Sequence, residues 1–295
     1  MLTIKQILGK IPHTKFSGNL NAEIVNIIEF DSSNKDSDVL MWVSKKNEEV
    51  AKQLTIGTLI CSSDYTPYKD ENVNLIFCDN PRESFSKTLK EFFIKKKSPL
   101  ISASAQINEN VEIGNNCNIG NFVVIEENCR IGNNCSIDHG TVIKSNTILK
   151  DNVTIGANCV IGGVGFGYEK NETGIYDFIP HIGNVIIENN VEIGNNTCID
   201  RAVLGSTILK EYVKVDNLVH IAHGVKIGKN SLIIANAMIA GSVIIGENVW
   251  IAPSSSVLNK LSIDSGSTIG MGAVVIRPVK QGETIIGNPG KILNK

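Results

Sequence analysis

Residues 111–137 read VEIGNNCNIGNFVVIEENCRIGNNCSI, with an aliphatic side chain at every sixth position: Ile113, Ile119, Ile125, Ile131 and Ile137. Working outward, the spacing runs back through Ile107 to Ile101 and forward through Ile143, Leu149 and Ile155 to Ile161. It is lost over residues 162–184, GGVGFGYEKNETGIYDFIPHIGN, and resumes at Ile187, Ile193 and Ile199. It then slips by four residues to Val203 and holds every sixth residue to Val275. Neither an amphipathic helix nor an ordinary strand has a period of six, whereas a parallel β-helix requires one, because each short strand stacks its inward side chain on those of adjacent coils. The fold class is therefore mainly β. Three hexads per turn give about 18 residues per coil and roughly nine coils, each rising about 4.8 Å.

The first hundred residues lack this period. AEIVNIIEF, GTLICSS and NLIFCD read as buried strands, and TIKQILGKI, NEEVAKQL and RESFSKTLKEFFIKK have helical spacing. We divide the chain into a small α/β domain over 1–98, a β-helix over 99–278 and a tail over 279–295. KKKSP, residues 95–99, reads as a solvated helix end and linker.

Hydrophobic residues make up 42% of the 295, enough for a substantial core, and the formal net charge is −2. That balance lacks the basic footprint of a nucleic-acid binder. Lys5, Lys10 and Pro12 interrupt the start before a signal-like apolar run forms, and no stretch is long enough to span a bilayer, so a cytoplasmic location is expected. Among the seven cysteines, Cys117, Cys129, Cys135 and Cys159 each stand two residues before an aliphatic anchor. They read as small corner-filling residues, and all seven as reduced core thiols; Cys117 and Cys135 stack one coil apart.

Two of only five histidines, His220 and His223, share one repeat, DNLVHIAHGVKIG, residues 216–228. With Ile221 as inward anchor, His220 faces outward and His223 lies near a corner. Eighteen residues on is Gly241, whose bare amide stacks beside the imidazole. A proton acceptor next to an oxyanion donor suits attack of an amine or hydroxyl on a thioester. Asp216, seven residues ahead, is the expected carboxylate partner of His223. His220 and Asn217 are candidate substrate contacts. Phe166 and Tyr168 in the interruption are expected to line the sugar or acyl site, and His181 to touch a substrate phosphate. Gly163, Gly165 and Gly167 do not form a dinucleotide loop, since no helix follows them. His13 and His139 receive no role.

The blocks GGVGFGY, IPHIGNVIIENNVEIGNNTCIDRAVLGSTI and VDNLVHIAHGVKIG followed by IAGS carry a resemblance to the UDP-3-O-acylglucosamine N-acyltransferase family of lipid A biosynthesis, within the left-handed hexapeptide-repeat acyltransferases. It covers nearly the whole chain. The resemblance implies His223 as catalytic base, Asp216 as its partner and the Gly241 amide as oxyanion donor. It also implies left-handed coiling, a homotrimer with active sites between subunits, and an N-terminal domain that helps hold a nucleotide.

Several positions depart from the family pattern. Where the family has an Asn-Pro-Lys-Tyr-like segment for uracil, this chain has Ser44, Lys45, Lys46 and Asn47, leaving Trp42 as the substitute aromatic. Lys260 replaces a second family histidine near the acyl site. The tail GNPGK, residues 287–291, is similar to the ending of acetyl-CoA-dependent hexapeptide enzymes, which makes Lys291 a candidate donor contact. Trp250 is expected to shorten the acyl groove. These departures favour an N-acyltransferase moving a short acyl group from acyl-CoA to the amine of a nucleotide-linked amino sugar. The alternative is the lipid A role, with a 3-hydroxyacyl chain from acyl-carrier protein. Either donor is a co-substrate, with no tightly bound cofactor and no metal expected. A passive scaffold or a trimeric zinc enzyme is the rival from another class; the repeats offer too few histidines at suitable spacing for zinc.

Overall fold

In the computed structural model, which describes residues 1–67, 72–94 and 98–293, the chain forms two compact units, Met1–Lys96 and Lys97–Lys295. The linker proposed over KKKSP falls partly on residues 95–97, outside the described residues.

In the second unit, most hexads form a two-residue parallel strand ending in a buried anchor. The strands stack into three sheets of 11, 9 and 8 members, the three faces of a parallel β-helix. The first face carries Lys214–Val215 and Trp250–Ile251. His220–Ile221 and Met238–Ile239 lie on the second face. Lys226–Ile227 and Ile244–Ile245 lie on the third. Like stacks on like: Ile119 pairs with Ile137, and Ile221 with Ile239, each 18 residues on. Ile143, Ile155, Ile161, Ile187, Ile199, Ile221, Ile233 and Ile251 are all fully buried. Each contributes on the order of 2 kcal/mol of burial, so the period in the sequence is the core itself.

Two coils are longer. Leu149 pairs with Ile187 across the interruption, and Ile187 with Leu209, separations of 38 and 22 residues. The interruption is thus an insertion of 20 residues on a standard coil. The second lengthening corrects one expected anchor: Val203 is only half-buried in a bend, and Leu209 is the next anchor, fully buried. The four extra residues leave the ladder before the strand re-forms.

The Asn that recurs three residues after an anchor has its own cause. Asn116, Asn128, Asn134, Asn152 and Asn196 all have φ between 56 and 58°. Asn tolerates this left-handed conformation better than other residues bearing a Cβ. Phe122 occupies the same slot at φ 57° and is 71% exposed. Phe122→Asn is expected to stabilise the protein by about 1 kcal/mol, raising the thermal midpoint by about 2 °C; an unchanged or lower midpoint in calorimetry contradicts this account of the motif.

Cys117, Cys129, Cys135 and Cys159 are buried free thiols at the corners, each within 3.0–3.2 Å of a carbonyl one coil along. Burial pushes Cys135 up to about 11. Cys198 departs from the core-thiol reading: it sits directly before its anchor and faces outward, exposed.

The N-terminal unit has a five-stranded sheet in the order Lys15–Ser17, Val73–Cys78, Gly57–Ser62, Val39–Trp42, Asn26–Ile27, antiparallel only at the first pair. AEIVNIIEF, read as one strand, is two: Glu23–Ile24 pairs with Leu2–Thr3, and Asn26–Ile27 with Val39–Leu40. Val39–Trp42 is a strand the sequence reading missed, because a four-residue apolar run has no periodicity to display. Helices cover Ile4–Leu8, Glu48–Ala51 and Pro81–Thr88.

Candidate active site

His223 lies two residues past the second-face anchor Ile221, at the corner leading to the third face. One coil on, the Ser242 N–H donates to the His223 carbonyl at 2.8 Å, which locks the two corners in register. The imidazole lies against Gly241 so closely that a Cβ there would stand 2.6 Å from His223 Nε2 and 2.7 Å from Cε1. Only glycine admits the ring at this place. The Gly241 N–H has no acceptor among the described residues. At equivalent corner positions a side chain caps that donor: Asn121 N–H donates to His139 Nδ1 at 2.7 Å, Asn133 N–H to Asp151 at 2.7 Å, and Glu247 N–H to Ser265 at 2.9 Å. An uncommitted amide beside an imidazole is what oxyanion stabilisation next to a general base requires.

Burial lowers the pKa of His223, and the neighbouring His181 adds to this. The neutral, proton-accepting form therefore persists below the ordinary histidine value of 6.5. The expected result is an acid limb of kcat/KM below that pH, with activity lost as pH falls through it. A limb above 7 would mean that the base is stabilised in its charged form.

The 20-residue insertion builds the wall behind His223. A Cβ at Gly165 would stand 2.9 Å from both His181 Nε2 and His223 Cβ, so the loop backbone packs directly on the His181 ring and on the base of the His223 side chain. Beyond it, Tyr168–Lys170 and Tyr176–Phe178 pair as an antiparallel hairpin. Aromatic rings then run without a break. Phe166 meets Tyr168 at 4.9 Å, Tyr168 meets Phe178 at 5.6 Å, Phe178 stacks on His181 at 5.7 Å, and His181 meets His223 edge-on at 5.2 Å. Phe166 and Tyr168 are exposed. His181 is not: it is 6% accessible, its Nδ1 lies 2.7 Å from the Ile179 carbonyl, and its Nε2 is buried without a hydrogen-bond partner. Its ring is thus turned inward against His223 and is not on the surface.

Asp216 departs from expectation as well. It belongs to the corner between the first and second faces, and its carboxylate accepts from the Asn217 N–H and side-chain amide at 2.7 and 3.0 Å and from the Ala235 N–H at 3.3 Å. No Asp216–His223 bond forms within the chain among the described residues, because the seven intervening positions carry the backbone across a whole face. Asn217, the neighbour of that carboxylate, also accepts from the Asn195 N–H at 2.7 Å. Both residues are thus at a corner other than that of His223.

His220 does face outward, 46% exposed, with Asp200 Oδ2 at 3.6 Å from its Nε2. Asp200 and the following Arg201 were missed in the sequence. Arg201 is buried, donating from Nε to the Gly162 carbonyl at 2.8 Å and from Nη2 to the Ser145 carbonyl at 3.1 Å, which pins the start of the insertion. The available signal was a charged pair directly before the four-residue lengthening.

Of the expected donor contacts, Lys260 shares the corner of Gly241, its N–H donating to the Gly241 carbonyl at 2.9 Å. Trp250 stands on the first face, across the prism from that corner, so it does not line a groove with His223 of the same chain. Lys291 lies in a closing hairpin, Lys291–Ile292 against Thr284–Ile286, five strand spacings or about 24 Å beyond Lys214. In GNPGK, the Gly290 N–H donates to the Val274 carbonyl at 2.7 Å, so the motif caps the last coil. Trp42 lines a cleft of about 510 Å³ in the N-terminal unit, with Lys45, Asp79, Asn80 and Arg82, and stacks on Phe85 at 5.9 Å.

Residues 96–127 and 128–163 match the family described as bacterial transferase hexapeptide (six repeats), and residues 224–252 match the hexapeptide repeat of succinyl-transferase. Among solved structures, the fold is shared with UDP-N-acetylglucosamine acyltransferases from Campylobacter jejuni (TM-score 0.57, 20% identity, 65% of this chain and 73% of that one) and Francisella novicida (0.58, 24%, 63% and 66%). Repeat and fold together define a hexapeptide-repeat β-helix protein. UDP-3-O-acylglucosamine N-acyltransferases of Campylobacter lari and Legionella pneumophila (strain Paris) are 46% and 38% identical, over 76% and 86% of this chain and 74% and 79% of theirs. That of Campylobacter curvus is 36% identical over 92% and 88%. The chain belongs to the UDP-3-O-acylglucosamine N-acyltransferase family, and it is an acyltransferase. These names favour the 3-O-acylglucosamine alternative and lend no support to the preferred short-chain, CoA-dependent reading, whose main sequence clue, GNPGK, the hairpin accounts for structurally. Among the described residues, no helix is long and apolar enough to cross a membrane.

Proposed function

We propose that this protein transfers a 3-hydroxyacyl group from an acyl-carrier-protein thioester to the amine of UDP-3-O-acylglucosamine, the N-acylation step of lipid A biosynthesis. The observation that supports this is the His223 ring packed where a Gly241 Cβ would stand, beside a Gly241 N–H without an acceptor among the described residues. His223 accepts a proton as the amine nitrogen bonds to the thioester carbonyl carbon. The Gly241 N–H holds the resulting oxyanion; collapse breaks the carbon–sulfur bond, and the imidazolium returns its proton to the departing thiolate.

Asp216 and His223 belong to one coil but to successive corners. In a homotrimer whose threefold axis follows the prism, rotation preserves height, so a neighbour's Asp216 can face this His223 across the seam. The same argument assigns Trp250 to a neighbour's groove and Lys260 to the donor side. His220 and the exposed Phe166 and Tyr168 contact the acceptor, and the Trp42 cleft, with Lys45 and Arg82, receives the nucleotide. The deciding experiment offers purified protein UDP-3-O-acylglucosamine with either 3-hydroxyacyl acyl-carrier protein or acetyl-CoA. Amide formation from the carrier-protein thioester is expected, and efficient turnover of acetyl-CoA with none from the carrier protein overturns the reading.

A further inference from the structure

The corner that holds His223 also holds a carboxylate with no part in the steps above. Asp200 directly follows the anchor Ile199, in the coil before His223, and its side chain is 14% exposed. Among the described residues its carboxylate accepts no hydrogen bond from backbone or side chain; its partner is His220 Nε2, at 3.6 Å. Gly163 closes over it, so that a Cβ there would stand 3.4 Å from Oδ1. Cys198 also feels its charge. Burial pushes the Asp200 carboxyl above its ordinary value, while His220 and His181 oppose that. A carboxylate so withdrawn from water needs a donor, and the His220 imidazole is the one within reach of a small rotation. Asp216, by contrast, is already saturated by Asn217 and Ala235.

We propose that Asp200 is a positioning residue: it holds the Nε2–H of His220, which fixes that tautomer and turns Nδ1 outward as an acceptor for a hydroxyl or N–H of the sugar substrate. This rests on reading the corner as the acyl-transfer site. Fixing one imidazole nitrogen through a carboxylate decides what the other can do.

The test is a double-mutant cycle on the full-length protein, measured with UDP-3-O-acylglucosamine and 3-hydroxyacyl acyl-carrier protein. Asp200→Asn and His220→Ala are each expected to raise the acceptor KM about tenfold, with much less effect on kcat. The double variant is expected to be no worse than His220→Ala alone, because Asp200 acts through that ring. Independently of any variant, ¹⁵N-histidine NMR of the unsubstituted protein should show His220 as the Nε2–H tautomer. Losses that multiply in the double variant, an Asp200→Asn enzyme indistinguishable from the parent, or an Nδ1–H tautomer each overturn the inference. His223→Ala separates the two layers: retained activity sinks the base assignment and this inference with it, whereas an inactive His223→Ala beside a normal Asp200→Asn sinks only the role of Asp200.

Discussion

His223→Ala is expected to lower kcat by roughly three orders of magnitude with little change in thermal midpoint. The proposed mechanism makes catalysis depend on it, because the amine must lose a proton as it attacks and His223 is the imidazole set beside Gly241, whose amide has no acceptor among the described residues. Stability does not, because the core below is built from Ile221 and Ile239, which the substitution leaves in place. The loss should fall on kcat more than on KM, since proton transfer belongs to the transition state. Steady-state kinetics with the carrier-protein donor provide the measurement, and a reduction of less than about tenfold would exclude His223 as the base.

Gly241→Ala is the second large effect, expected to cost about a hundredfold in kcat. Gly241 is absent from the residues with positive φ, so the backbone accepts alanine without strain. The atoms nearest the new methyl are all of the imidazole, Nε2 at 2.6 Å first, and the ring must swing away from Gly241 to make room. Base and oxyanion donor are thereby separated while the fold persists. Gly228→Ala is the matched control. Its Cβ would meet the Gly246 backbone at 2.4 Å, so the expected damage there is to stability and not to the chemical step. If Gly241→Ala keeps full activity, the amide takes no part in the reaction.

The reach of sequence reasoning followed the ladder. Between Leu209 and Val275 no residue is inserted, so counting 18 from His223 finds Gly241, and the crystal-like regularity of the stacked anchors makes that count a distance. Before Leu209 the lengthened coils of 38 and 22 residues break the arithmetic, so spacing reveals neither Asp200 and Arg201 nor the burial of His181 against His223. Asp216 misled for another reason: seven residues look close in sequence but span a face of the prism. The short strands of the N-terminal unit, Val39–Trp42 above all, carry no period to read.

The hexad by itself determined the β-helix, its inward residues and its asparagine corners, because every coil solves the same local problem of burying one aliphatic side chain and turning after it. Only the tertiary structure decided which corners share a site, because a 20-residue insertion folds back over His223 through Gly165 and His181, and contacts made across such a loop depend on where the chain returns, not on its spacing.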